Sequence, residues 1–347
     1  MPENHFRSYL GSAVQLLAGV LIIAGIVIVL QSLLGFVQVQ SAPPGWQIIR
    51  PPQEVSTLII ENDTVWTGGK DGVIVIDRLS GTQISTPAAA PSFGYVRQIF
   101  RDRDGWIWVG HDGGLARFRN GSWQVISPDP GVPFAKVLSI VQRNDSTIVV
   151  GTDTDVLSYR SGSWTSLLGP GAPSIASADV LLEDSSGSLW VGCGQPTRGG
   201  LYRLSGTTWS SFNVSDGLPH LSVRGITQAR DGTLWVATGF SRHGGAALYF
   251  GGTWTNLTVQ DGLAGESTRS VYEDAFGRMW IGSEYDGVAV GTPGSWEILT
   301  EKDGLAGYEV KVLMQDDDGT YWLGTNSGLN RVHSTAVRSS IHTNRSG

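Results

Sequence analysis

VRGITQARDGTLWVAT, residues 223–238, holds a run of roughly alternating apolar and polar side chains, an Asp-Gly turn and a second apolar run built on Trp235. Alternation with period two is strand periodicity, and Asp-Gly supplies the turn between two antiparallel strands. The unit recurs along the chain. Aligned on the same position, Trp66 in VWTGG, Trp108 in IWVGH, Val149 in IVVGT, Trp190 in LWVGC, Trp235 in LWVAT, Trp280 in MWIGS and Trp322 in YWLGT succeed one another at gaps of 42, 41, 41, 45, 45 and 42 residues. A second series, Trp123, Trp164, Trp209, Trp254 and Trp296, precedes the next anchor by 26 residues each time. Around each anchor lie runs such as GLARF or GLYRL and then SWQVI, which makes four short strands per repeat. Four antiparallel strands recurring at this period are the signature of a propeller blade.

Seven repeats predict an all-β, seven-bladed β-propeller. The last repeat ends near Val332 without a GSW-type strand, while GWQIIR at residues 45–50 precedes the first repeat without a blade of its own. The N-terminal strand is therefore expected to complete the seventh sheet, which closes the ring and removes an open edge. The anchor tryptophans, one per repeat at one strand position, are expected to pack between sheets rather than to stack on sugars. The Asp-Gly turns resemble calcium loops only loosely and are expected to serve turn geometry.

Composition agrees with many strands and tight turns: 47 Gly, 13 Trp and only 16% charged residues. The net charge of −7, with no run of basic residues, excludes the electrostatic footprint of a nucleic-acid binder. Cys193 is the sole cysteine, so neither an internal disulfide nor a cysteine metal cluster can form. The six histidines stand in no metal or kinase spacing and no glycine loop suits a nucleotide, so no cofactor is expected.

From Ala13 to Val39 the sequence contains no ionisable side chain. Such a stretch is long enough to span the roughly 30 Å of a bilayer core and too long for the apolar region of a cleaved leader. Arg7 precedes it and the next basic residue is Arg50, which by the positive-inside rule places the N-terminus in the cytoplasm. The expected order is a short cytoplasmic segment (1–12), a single transmembrane helix (13–39), a linker (40–44), an extracytoplasmic propeller (45–333) and a polar flexible tail (334–347).

EDSSGSLWVG, QDDDGTYWLGTNSGLNR and the Asp-Gly-Leu triplets at Asp216, Asp261 and Asp303 resemble the two-component regulator propeller repeat. The resemblance covers about Trp46 to Val332 and implies an extracytoplasmic sensor-type module of bacterial membrane signalling. In that family two propellers often stand side by side, succeeded by an immunoglobulin-like domain. Here there is one, the apolar segment comes first, and residues 334–347 are too few for a kinase. Signalling is then expected to pass to a separate partner protein.

In a four-strand meander the inter-blade connections and the turns between second and third strands share one face. Eleven residues before each anchor, at the start of each innermost strand on that face, stand Val55, Arg97, Leu138, Asp179, Arg224, Arg269 and Lys311. Four of these are basic, so a partly cationic collar is expected at one mouth of the channel, with Arg97, Asp179, Arg224, Arg269 and Lys311 as ligand-binding candidates for a small anionic or saccharide ligand. Blades 4 and 5 lengthen their loops on the same face, in GCGQPTRGG and TGFSRHGGA. The alternative is an extracytoplasmic propeller enzyme such as a polysaccharide lyase or lactonase, for which Asp179, Arg198 and His243 are the only near candidates.

Overall fold

The structure is a computed structural model and describes residues 42–84, 90–127 and 136–337. The apolar segment 13–39, and with it the expected membrane helix, lies outside the described residues. Among those described, no helix is long and apolar enough to cross a membrane.

The described residues form seven sheets, each of four antiparallel strands. Six take their strands from consecutive sequence: residues 57–84, 96–126, 137–166, 180–212, 223–257 and 268–299 make blades 1 to 6. Blade 7 combines residues 310–333 with the N-terminal strand Trp46–Ile49. That strand pairs antiparallel with Gly328–His333, in register from Trp46 opposite Val332 to Ile49 opposite Leu329. Residues 334–337, read from sequence as the start of a flexible tail, instead form a helical turn, because Val337 is fully buried in the cluster that contains Trp46.

Seven apolar clusters fill the spaces between neighbouring blades, and each holds one anchor residue. Trp108, Trp190, Trp280 and Trp322 are at most 2% exposed, which settles their role as core. Four turns of the form Asp-x-x-Gly add a polar clasp to their turn geometry. Asp102, Asp184, Asp274 and Asp316, each six residues before its anchor, accept hydrogen bonds from the indole Nε1 of Trp108 (2.7 Å), Trp190 (2.7 Å), Trp280 (3.0 Å) and Trp322 (3.2 Å). The same carboxylates accept backbone amides of their own turns, so one Asp satisfies both the turn and the buried indole. Blade 5 has Ala229 at that position and blade 3 has Arg143, opposite an anchor that is Val149.

The glycine two residues after most anchors lets the next blade approach. A Cβ on Gly68 would lie 2.4 Å from a Val96 methyl, and one on Gly110 would lie 2.8 Å from Val137. The Asp-Gly-Leu triplets end each of three outer strands in a short 3-10 turn: Asp216, Asp261 and Asp303 accept the cap-residue amides, and Leu218, Leu263 and Leu305 are buried.

Candidate functional site

The strand-start positions converge. Arg97, Leu138, Asp179, Arg224, Arg269 and Lys311, with Ser56, Tyr95 and Glu309, wall a cavity of about 310 Å³ at the mouth of the channel. Blade 1 contributes Ser56 because Val55 is fully buried in the interface with blade 7.

A backbone irregularity aims these side chains. In five blades the pairing of first and second strands shifts register across one residue: Val96/Gln98, Val137/Ser139, Val223/Gly225, Thr268/Ser270 and Val310/Val312. The residues skipped are Arg97, Leu138, Arg224, Arg269 and Lys311. A β-bulge leaves its extra residue out of the ladder and re-aims its side chain, here toward the channel. Period-two patterning gives no sign of this, since a single inserted residue at a strand end leaves the alternation of the remainder intact.

The expected cationic collar is instead a ring of mixed charge. Arg97 binds Asp112 through two bonds, Nε to Oδ1 at 2.7 Å and Nη2 to Oδ2 at 3.0 Å, and its guanidinium lies over the Tyr95 ring at 4.3 Å. Lys311 Nζ bonds Glu54 at 2.7 Å and approaches Glu309 at 3.5 Å. Arg269 pairs with Glu284 and stands 3.2 Å from Glu309. Arg224 approaches Asp179 at 3.5 Å. The carboxylates come from second-strand ends, inter-blade connections and one channel-facing strand start, positions that the eleven-residue spacing does not single out apart from Asp179.

The bases differ in what they have left to give. Hydrogen bonding to Asp112 raises the Arg97 guanidinium above its ordinary value despite partial burial. Burial draws Lys311 down, but Glu309 and Glu54 outweigh it and leave the ammonium more basic than usual. Burial raises Glu54, yet the bonds from Lys311 and Tyr95 bring it below the ordinary carboxylate value. Arg224 goes the other way: burial, and then the neighbouring Arg269, lower it. Its Nε is buried with no hydrogen-bond partner among the described residues. Asp179 is meanwhile engaged by the Gly194 amide at 2.8 Å and by the Ser177 hydroxyl. A Cβ on Gly194 would lie 2.5 Å from Asp179 Oδ1 and 2.8 Å from Arg224 Nη1, so the loop after the second strand of blade 4 closes tightly on this pair.

Neither Arg198 nor His243 walls the cavity. His243 is exposed, its Nδ1 2.9 Å from the Ser241 carbonyl oxygen. Among the described residues no group of metal-ligating side chains occurs. In blade 5 the extra residues lengthen a ladder rather than a loop, adding the pairs Gly239–Gly244 and Phe240–His243.

Four segments, residues 91–113, 217–240, 262–285 and 304–327, match the two component regulator propeller family. These four segments are two component regulator propeller repeats. Each matched segment runs from before a strand-start position through the next anchor, so in blades 2, 5, 6 and 7 the two component regulator propeller pattern contains the bulged cavity residues Arg97, Arg224, Arg269 and Lys311. No curated protein matches the chain. Among solved structures, the extracellular domain of a putative hybrid two component system from B. thetaiotaomicron is 20% identical with a TM-score of 0.70, covering 84% of this chain and 42% of its own length. The chain thus spans less than half of that relative. A catalytically inactive virginiamycin B lyase from Staphylococcus aureus is 14% identical with a TM-score of 0.62, covering 83% and 98%. PorZ of Porphyromonas gingivalis, a surface component of the type-IX secretion system, is 15% identical with a TM-score of 0.62, covering 81% and 46%. At these identities the likeness is one of fold.

Proposed function

We propose that this chain is a membrane-tethered, extracytoplasmic recognition module that binds a small anionic or acidic-sugar ligand in the bulge-lined cavity and works through a separate signalling partner. Arg224 carries the reading. Its guanidinium has donors to spare, is partly buried and meets its one acid at 3.5 Å, so a ligand carboxylate would gain charge-assisted bonds in a partly desolvated mouth. Its neighbours Arg97 and Lys311 are already well paired, so they shape the site and contribute less to an incoming anion. The repeat family, whose very name comes from two-component regulation, supports a sensing role. Binding without turnover is the reading that the wall's carboxylates favour, since Asp179 and Glu309 stand beside Arg224, Arg269 and Lys311.

Calorimetric titration of small carboxylates and uronic acids tests it, comparing wild type with Arg224→Gln. Loss of a charge-assisted contact of about 1.5–3 kcal/mol weakens binding roughly tenfold or more. A ligand found in the screen that binds both proteins equally places recognition outside this cavity.

A further inference from the structure

Blade 5 departs from the other six at one place. Its second and third strands, Leu234–Phe240 and His243–Phe250, are 7 and 8 residues long, against 5 or 6 in the other blades. The extra rungs form a hairpin that stands beyond the ladder on the cavity face. Its tip is Ser241–Arg242, both in the left-handed region at φ 51° and 64°. A two-residue hairpin turn of type I′ needs positive φ at both tip positions, and Asn-Gly or Gly-Gly meets that need with least strain. Ser-Arg lacks a glycine, so the tip carries strain, and its second residue is an arginine.

What the hairpin presents is poorly explained by folding. Phe240 is 44% exposed. The Arg242 side chain is 68% exposed and lies over the Tyr285 ring at 4.6 Å. Across the face, Tyr308 in the connection between blades 6 and 7 is 45% exposed. The blade 4 loop adds Arg198, and neither GCGQPTRGG nor TGFSRHGGA contains a carboxylate, in a chain whose net charge is −7. Asp286 answers Arg242 only at 3.9 Å between exposed groups, a pairing worth little in water. His220 belongs to the same electrostatic neighbourhood: burial, His243 and Arg224 all lower its basicity.

We propose that the blade 5 hairpin, together with the adjacent blade 4 loop, is a docking surface for an acidic, aromatic-containing segment of a partner polypeptide. The charge of the surface selects the acidic character, since Arg198 and Arg242 stand on segments that contain no acid and Asp286, which approaches Arg242, does so only at 3.9 Å. Arginine and aromatic side chains are the residues that anchor protein interfaces, and Arg242 over Tyr285 beside an exposed Phe240 supplies both. A polysaccharide fits less well, because the exposed Phe240 ring has no polar edge to bond a hydroxyl. Neither Phe240 nor Arg242 is part of the cavity wall, whereas the blade 4 loop borders it through Gly194.

The test uses the full chain against immobilised short peptides whose net charge and aromatic content vary independently, with polygalacturonate as competitor. Retention is expected to rise with acidic content and further with an aromatic residue. Arg242→Glu and Phe240→Ser are each expected to weaken it by roughly tenfold, while Arg160→Gln, on the exposed end of a blade 3 strand, leaves it unchanged. Arg198→Glu probes the other loop and decides the matter if a hairpin variant melts early. Retention indifferent to peptide charge, or Arg198→Glu and Phe240→Ser both binding as wild type, overturns the proposal. So does polygalacturonate that binds wild type and Phe240→Ser alike and displaces the peptides, which identifies a glycan surface instead.

Discussion

Removing one buried carboxylate, Asp274, should destabilise the propeller more than almost any other single polar change. Its side chain lies in a residue 1% exposed and accepts five donors: the backbone amides of Phe276 (2.9 Å) and Arg278 (3.0 Å), Arg278 Nε (2.8 Å), Trp280 Nε1 (3.0 Å) and the Tyr321 hydroxyl (2.9 Å). Tyr321 belongs to blade 7, so this acid joins the turn and anchor of blade 6 to the neighbouring sheet. In Asp274→Ala the indole and phenol are left in the core without an acceptor and the Arg278 guanidinium loses its ion pair. Breaking a buried pair from one side costs about 3–5 kcal/mol, and the orphaned neutral donors keep the figure at the upper end. For a domain of this size that lowers the melting midpoint by on the order of 10 °C. Asp274→Asn keeps the volume and one acceptor, so its loss should be roughly half as large.

The charge state gives a second measurement. Burial alone would raise Asp274, but bonds from Trp280 and the Arg278 amide and the Arg278 charge outweigh it and hold the carboxyl below its ordinary value. A carboxyl lowered on folding stabilises the native state fully above its unfolded pKa of about 3.9, and that contribution is lost as pH falls through the folded value. Wild type should therefore lose stability on acidification below about pH 4 more steeply than Asp274→Asn, in urea melts of residues 42–347. A loss below about 1 kcal/mol for Asp274→Ala at neutral pH would refute the clasp, since a mere surface turn acid costs no more than that.

Deleting residues 1–52 should strip blade 7 of its fourth strand and expose a sheet edge, giving aggregation or an early melt, whereas deleting 1–40 leaves stability intact; equal melting curves would show that the strand is dispensable. Arg224→Gln should bind a carboxylate ligand at least roughly tenfold more weakly while its melting temperature falls only slightly, because its ion pair is long; a large drop in melting temperature would make Arg224 structural. Gly194→Ala should also impair binding by displacing Asp179 and Arg224, and unchanged affinity would mean that their arrangement does not matter. Protease added to intact spheroplasts should remove the propeller, and full protection would reverse the expected topology.

The repeat, the blade number and the ring closure were all legible in the sequence, because an anchor spaced by 41 to 45 residues, a surplus strand before the first repeat and a missing strand in the last leave one arrangement. The channel-facing positions were legible too: counting eleven residues back from each anchor found Arg97, Asp179, Arg224, Arg269 and Lys311. Their electrostatics were not. A cation in a ring of sheets is governed by what the next blade places beside it, and Asp112, Glu284, Glu309 and Glu54 reach the mouth from different elements at different offsets, so no single spacing reveals them. The register shifts at the strand starts were equally hidden, since a bulge is a relation between two strands. The blade 5 insertion was visible as length, but whether extra residues loop out or extend a ladder depends on pairing across the hairpin. Sequence periodicity therefore determined the architecture, which repeats, while tertiary structure decided the site, which is made where seven non-identical strand starts meet.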